Sequence, residues 1–196
     1  MQDESGITGS PGAADAPLEP ALELVGIFIS AGHDYWGRQG EGRMQHGIDS
    51  VDEVACEAAR GLVGDRYHRT DAPGRDGRGR RDQVTFFDEA VYRAVRERFR
   101  LKRLPPTVFR RNLLVRGHGA DGADGADGAG LDALLGRRFV VQGVMFEGSQ
   151  ECRPCEWMDR TIAPGARAFL DDHFRGGLRA RILSGGELRV ETPKPS

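Results

Sequence analysis

The chain has 196 residues, enough for one core with tails, and its 38% hydrophobic and 30% charged residues exclude a fully disordered chain. Glycine, 28 of 196, is about twice its usual share of ~7% and favours tight turns and open loops over long helices, which argues against a helical bundle. The formal net charge of −2 hides an asymmetry: residues 1–57 carry 2 basic and 11 acidic groups and residues 58–116 carry 16 and 7. A basic middle suits a small polyanion, while the near-neutral whole and the lack of a recognition motif speak against nucleic acid as a partner.

Residues 1–20, MQDESGITGSPGAADAPLEP, are acidic and rich in Gly, Pro, Ala and Ser, with no basic region ahead of an apolar one. They read as a disordered leader and not as a signal peptide. The longest apolar run, 24–29, is too short to span a membrane. Three cysteines, Cys56, Cys152 and Cys155, are an odd count that fits a reducing compartment, so a soluble, cytoplasmic chain without a membrane partner is expected.

A first strand is predicted at 22–30, bounded by Pro20 and Gly32 and followed by a loop with His33, Tyr35 and Trp36. Asp88 can cap a helix whose Val91, Val95 and Phe99 share one face, with Arg96, Arg98 and Arg100 toward its end and Pro105 and Pro106 as its stop. Residues 119–130, GADGADGADGAG, read as a flexible surface insertion. They lack the glycine pairs and large apolar residues of calcium-binding repeats. Residues 132–135 allow one helical turn, ended by Gly136.

A two-residue hairpin is expected where 139–141 faces 144–146 across Gln142-Gly143. Residues 164–174 can form a helix that clusters Phe169, Leu170, His173 and Phe174. A second hairpin is expected to pair a strand holding Ala180 and Ile182 with one holding Leu188 and Val190, across Ser184-Gly185-Gly186. Short strands, two or three short helices and no regular β-α-β alternation give a mainly β barrel or sandwich. The expected single domain covers 21–192, with 193–196 a tail.

Cys152-Arg153-Pro154-Cys155 is the sharpest local feature, and the pair has three chemical readings. As zinc ligands it needs two more, and Cys56 and a histidine would have to come from far away. As a redox couple it is similar to the thioredoxin motif in its Pro-Cys end, but it follows a hairpin in the last quarter of the chain. As one reactive thiol beside a structural neighbour it needs wider context.

That context is the order of four segments. Gly61-Leu62-Val63-Gly64-Asp65-Arg66 with Tyr67-His68 comes first, then Gln83-Val84-Thr85-Phe86. Next, Arg110-Arg111-Asn112-Leu113 leads through Leu131-Asp132 and Leu135-Gly136 to Cys155, and Gly177-Leu178-Arg179-Ala180-Arg181-Ile182-Leu183 closes the series. Together, from about residue 22 to 191, they resemble the MOSC domain, named after the C-terminal domain of molybdenum cofactor sulfurases.

The resemblance implies a MOSC-type β-barrel that holds the molybdenum cofactor, a pterin dithiolene bearing a phosphate. Cys155 takes the position of the family's reactive or metal-ligating thiol, with Cys152 as its structural neighbour. Thiolate is a soft ligand suited to a sulfur-bound metal. Arg110 and Asn112 match an Arg-x-Asn element beside the cofactor, with Arg111 where relatives often have proline; Arg153 adds charge next to the thiol. Arg179 and Arg181 share one strand face that either contacts the cofactor or is solvated. Ser30 and His33 fall where family members place phosphate-binding groups.

The implied function is an oxidoreductase that reduces an N-hydroxylated or other oxygen-bearing small molecule at a Cys-ligated molybdenum. The alternative is a sulfur carrier or cofactor-handling protein with a persulfide on Cys155. Either would call on an electron-transfer or sulfur-donor protein. No pyridoxal phosphate site is expected, since a Schiff base would need Lys102 or Lys194, the two lysines of the chain.

Overall fold

A computed structural model describes residues 16–32, 46–68, 83–117 and 130–191. Their chain order is β1 (Leu22–Ile29), β2 (Asp49–Val51), β3 (Glu53–Glu57), β4 (Gly61–Leu62), β5 (Val84–Asp88), α1 (Glu89–Arg98), β6 (Leu113–Gly117), β7 (Arg138–Val141), β8 (Val144–Glu151), α2 (Glu156–Thr161), α3 (Ala166–Asp171), β9 (Leu178–Ile182) and β10 (Gly186–Arg189). Seven strands form one curled sheet in the order β2-β1-β6-β5-β9-β8-β7, and β10-β3-β4 form a second. The fold is mainly β, a half-barrel with three short helices.

Strand alternation gives the large sheet two apolar faces. Leu24, Ile27, Val84, Phe86, Leu113, Phe139, Phe146, Leu178 and Ile182 fill the inside together with Cys56, Leu62 and Leu188 of the small sheet. Phe28, Phe87 and Leu114 pack on the outside against Val91 and Val95 of α1, Phe109, Trp157 and Met158 of α2, and Leu170 of α3. Because α1 links β5 to β6, that pair is parallel, while the other pairings of the sheet are antiparallel.

Asp88 caps α1 as its position suggests, its Oδ1 accepting from the Ala90 amide at 2.7 Å. The helix stops well before the prolines. Arg100 donates to the Glu97 carbonyl and Leu101 to the Arg96 carbonyl, with Arg100 at φ 53. This closure normally recruits glycine, and a non-glycine residue in that conformation costs about 1 kcal/mol. Pro105 and Pro106 instead open a 3₁₀ turn, Pro106–Phe109, where a missing amide is harmless.

The β7–β8 hairpin has the expected register, Val141 opposite Val144 and Phe139 opposite Phe146, with both turn residues at positive φ, Gln142 at 49 and Gly143 at 78. The second expected hairpin does not form. β9 lies between β5 and β8, whereas β10 crosses to the small sheet and sets Leu188 opposite Val54. Alternation reports a strand's faces and carries no information about its partner. The helix expected over 164–174 is shorter, because His173 at φ 49 and Phe174 at φ 60 turn the chain out of α3.

Before β1, Leu18 pairs with β7, donating to the Arg138 carbonyl and accepting from the Val140 amide, both at 2.8 Å. The rest of the leader up to residue 15, the loop with His33, Tyr35 and Trp36, residues 118–129 of the repeat region and the tail lie outside the described residues. No helix among the described residues is long and apolar enough to cross a membrane.

Candidate functional site

The cysteine loop begins where β8 ends. Cys152 is buried and donates its amide to the Gly177 carbonyl at 2.8 Å. This approach needs glycines, since a Cβ on Gly176 would lie 2.0 Å from the Cys152 carbonyl oxygen and one on Gly177 2.3 Å from that of Phe86. Arg111 fixes the loop from the other side. Its Nε donates to the Gly176 carbonyl at 2.9 Å, Nη1 to Phe109 at 3.1 Å and Nη2 to Cys152 at 3.2 Å. Pro154 is buried, and Cys155 follows it as an exposed residue at the N-terminal cap of α2.

The two cysteines of the pair therefore face different surroundings, core and solvent, and both are free thiols. Among the described residues no group of three or more His, Cys, Asp or Glu side chains is placed to hold a metal ion.

Arg110 leaves the 3₁₀ turn at φ 57, which turns its half-buried side chain to within 5.6 Å of the Trp157 ring centroid. Burial first, and then the neighbouring Arg66 charge, lower its pKa below the usual arginine value, while Cys155 and Tyr67 act in the opposite sense. Arg66, Tyr67 and Cys155 are thus each within electrostatic reach of Arg110. The Arg66 side chain is 9% exposed; its Nη1 is 3.4 Å from Asp65 Oδ1 and its guanidinium lies 4.5 Å from the centre of the Tyr67 ring. Its Nε is buried without a hydrogen-bond partner among the described residues.

Two frames hold this group. Asp65 accepts from the Ser30 amide through Oδ1 and from the Tyr67 amide through Oδ2, both at 3.1 Å, and the Ser30 carbonyl accepts from the Arg66 amide at 2.7 Å. The Ser30 hydroxyl shares its proton between the carbonyls of Gly32 and Gly47. Asn112, 1% exposed, stitches three strands. Its Oδ1 accepts from the Thr85 amide and hydroxyl, its amide donates back to Thr85 Oγ1 at 2.9 Å, and its Nδ2 donates to the Phe28 carbonyl.

The remaining sequence-derived candidates do not all come together in one place. Arg153 and Arg179 meet at an open groove of about 560 Å³ with Ser149, Gln150 and Glu151. Arg181 is not solvated: it is 6% exposed, and its Nη1 lies 3.4 Å from Glu147, its cross-strand neighbour. His33 lies outside the described residues. Sequence reasoning missed Arg66, Tyr67 and Trp157. The signal for the first two was present, since a short Asp before Arg-Tyr in a glycine-flanked turn both caps the turn and aims the two side chains after it.

A family model described as the MOSC domain matches residues 73–193. The chain belongs to the MOSC domain family. Members are associated in general with binding of the molybdenum cofactor. Among solved structures, the MOSC chain is similar to the YuaD protein of Bacillus subtilis, with a TM-score of 0.58 and 16% identity over 86% of this chain and 91% of that one. It is also similar to YiiM from Geobacillus stearothermophilus, with a TM-score of 0.55 and 16% identity over 86% and 71%. YiiM from Escherichia coli gives 0.52 and 14% over 89% and 67%. At these identities the likeness concerns the fold. A search of curated proteins for sequence relatives returned no match.

Proposed function

We propose that this MOSC domain holds a molybdenum cofactor at Cys155 and acts as an oxidoreductase on an N-hydroxylated or other oxygen-bearing small molecule. The observation that carries the reading is the grouping of an exposed thiol with two guanidiniums, Arg66 and Arg110, of which Arg66 keeps a buried, unpartnered Nε among the described residues. Two like charges held together in partial burial favour a dianionic ligand, and guanidinium binds phosphate through paired N–H bonds. A soft thiolate beside them suits a soft metal. The donor set therefore fits the cofactor.

In this reading Cys155 ligates the metal and Arg66 and Arg110 hold the anionic group. Asp65 and Ser30 position the Arg66 turn, Arg111 and the Gly176-Gly177 pair fix the cysteine loop, and Asn112 anchors the chain where it passes from Arg110 into β6. The groove at Arg153 and Arg179 is the proposed place of the small-molecule substrate, and Arg181 supports the Arg179 strand; His33, outside the described residues, keeps only its sequence-derived assignment as a phosphate-binding group. When bound, the cofactor supplies a two-electron metal centre suited to oxygen-atom transfer. Electrons would come from a separate protein.

Purified protein is expected to carry molybdenum and to release a fluorescent oxidised pterin. Cys155→Ser should lose the metal while keeping the fold, and Cys152→Ser should retain it. Loss of both signals from the wild-type protein would refute the reading. Exposure of Cys155 also favours a second reading, a sulfur carrier. Cyanide-labile sulfur on Cys155 in molybdenum-free protein would establish it instead.

A further inference from the structure

We propose that the surface formed by residues 93–103 docks a protein that presents a compact cluster of carboxylates. This inference goes beyond the cysteine site and does not depend on its chemistry. The segment carries six cations, Arg93, Arg96, Arg98, Arg100, Lys102 and Arg103, against the single acid Glu97. Four of the six line one open groove of about 340 Å³, walled by the last turns of α1 and the chain that leaves it. Arg96 Nη2 reaches across to the Lys102 carbonyl at 3.1 Å and so ties the two walls together.

The helix dipole accounts for Arg96 and Arg98, which lie in the last turn of α1. It does not account for Arg100, Lys102 and Arg103, which lie past the helix and are exposed. Arg100 is the telling position. It occupies the left-handed conformation at the helix end, φ 53, where glycine would relieve the backbone. A long charged side chain kept at a strained position points to use of that side chain.

Arginine's planar fork favours carboxylates held in fixed geometry. The patch follows a ten-residue helix, about 15 Å long, which matches a compact acidic protein surface better than an extended phosphate backbone. The edge strand β2 of the large sheet, the residue after it and the small sheet expose Asp49, Asp52, Glu53 and Glu187, with Arg189 shared between the last two, a net negative surface that would repel a long polyanion.

The test titrates the full chain with a fluorescent oligoglutamate peptide, and separately with oligothymidylate of equal charge, at low and at physiological salt. Oligoglutamate should bind at low salt and weaken as salt rises. Arg96→Glu combined with Arg100→Glu should lower its affinity by at least about tenfold. Arg189→Glu, on β10, should change it little. Arg100→Gly separates binding from fold, because it should raise Tm by about 2–4 °C while weakening the peptide. The proposal is overturned if wild-type protein ignores the peptide, if the double variant or Arg100→Gly binds it normally, or if oligothymidylate binds more tightly. Self-association abolished by the double variant, without peptide binding, would assign the patch to a second copy of the chain and also overturn it.

Discussion

Inside the curl of the seven-stranded sheet, Phe86 meets Phe139 and Phe146 edge-on at 5.4 and 5.2 Å between centroids, and the latter two stack at 5.5 Å within the larger hydrophobic cluster. The outer face instead inserts polar groups with assigned partners: Asn112 with Thr85, Arg181 with Glu147, and Arg111 across the cysteine loop. Interior packing is non-directional and tolerates only a change of volume poorly. The outer bonds are directional and fix where particular atoms sit. Stability and site geometry are therefore separable by substitution on one face or the other.

The largest effect should come from the interior. Phe86→Ala removes two ring contacts from a fully buried position and should cost about 4 kcal/mol in urea unfolding, with thiol reactivity of the folded fraction unchanged. Cys56, which enters the same core from the small sheet, provides a pH test. Burial pushes its thiol from 9.0 up to about 12. The unfolded thiol releases its proton first, so stability is complete below about pH 9 and falls as pH rises toward 12, by on the order of 4 kcal/mol at the upper end. Cys56→Ala should flatten that alkaline limb in denaturant melts taken across the range.

On the outer face the balance shifts from stability to the site. Gly176→Ala forces a Cβ against the Cys152 carbonyl and should cost about 3 kcal/mol and alter the rate of Cys155 alkylation at once. A normal alkylation rate in the folded variant would show that the loop moves independently of the glycine pair. Arg111→Met, losing three bonds to carbonyls, should cost about 2 kcal/mol with a smaller change in that rate. The smallest change in stability belongs to Arg110→Ala, under about 1 kcal/mol by thermal melting. It should nevertheless retain less cofactor than Arg138→Ala, and equal retention would remove Arg110 from the site.

The sequence shows clearly those elements whose cause is local. The Asp88 cap, the Gln142-Gly143 turn and the Leu22–Ile29 strand each depend on neighbours a few residues away. β5 was not legible as a strand, because all five of its residues are buried and a strand covered on both faces loses its alternation. The placement of β10 depends on β3, more than a hundred residues earlier, and α2 is too short to show a helical period. The site divides in the same way. Cys155 enters the candidate site from motif order alone, but the engagement of Asn112 with Thr85 and Phe28, and of Arg111 with the cysteine loop, arises only when distant segments close on each other. Arg66 stood in a quoted motif, and its significance emerged from a charge that another segment, at Arg110, brings beside it.

The pairing of Leu18 with β7 has a consequence for how copies of the molecule meet. β7 is the last strand of the large sheet, and an open last strand offers a row of amides and carbonyls on which a neighbouring chain can extend the sheet. Leu18 occupies the Arg138 carbonyl and the Val140 amide. At the opposite margin stands β2, three residues long and beginning with exposed Asp49, too short and too charged to accept a partner strand. A chain trimmed past Leu18 would present a bare margin along Arg138–Val141, and turbidity on concentration would follow from that lost pairing and from the loss of the Leu18 side chain that packs against the core.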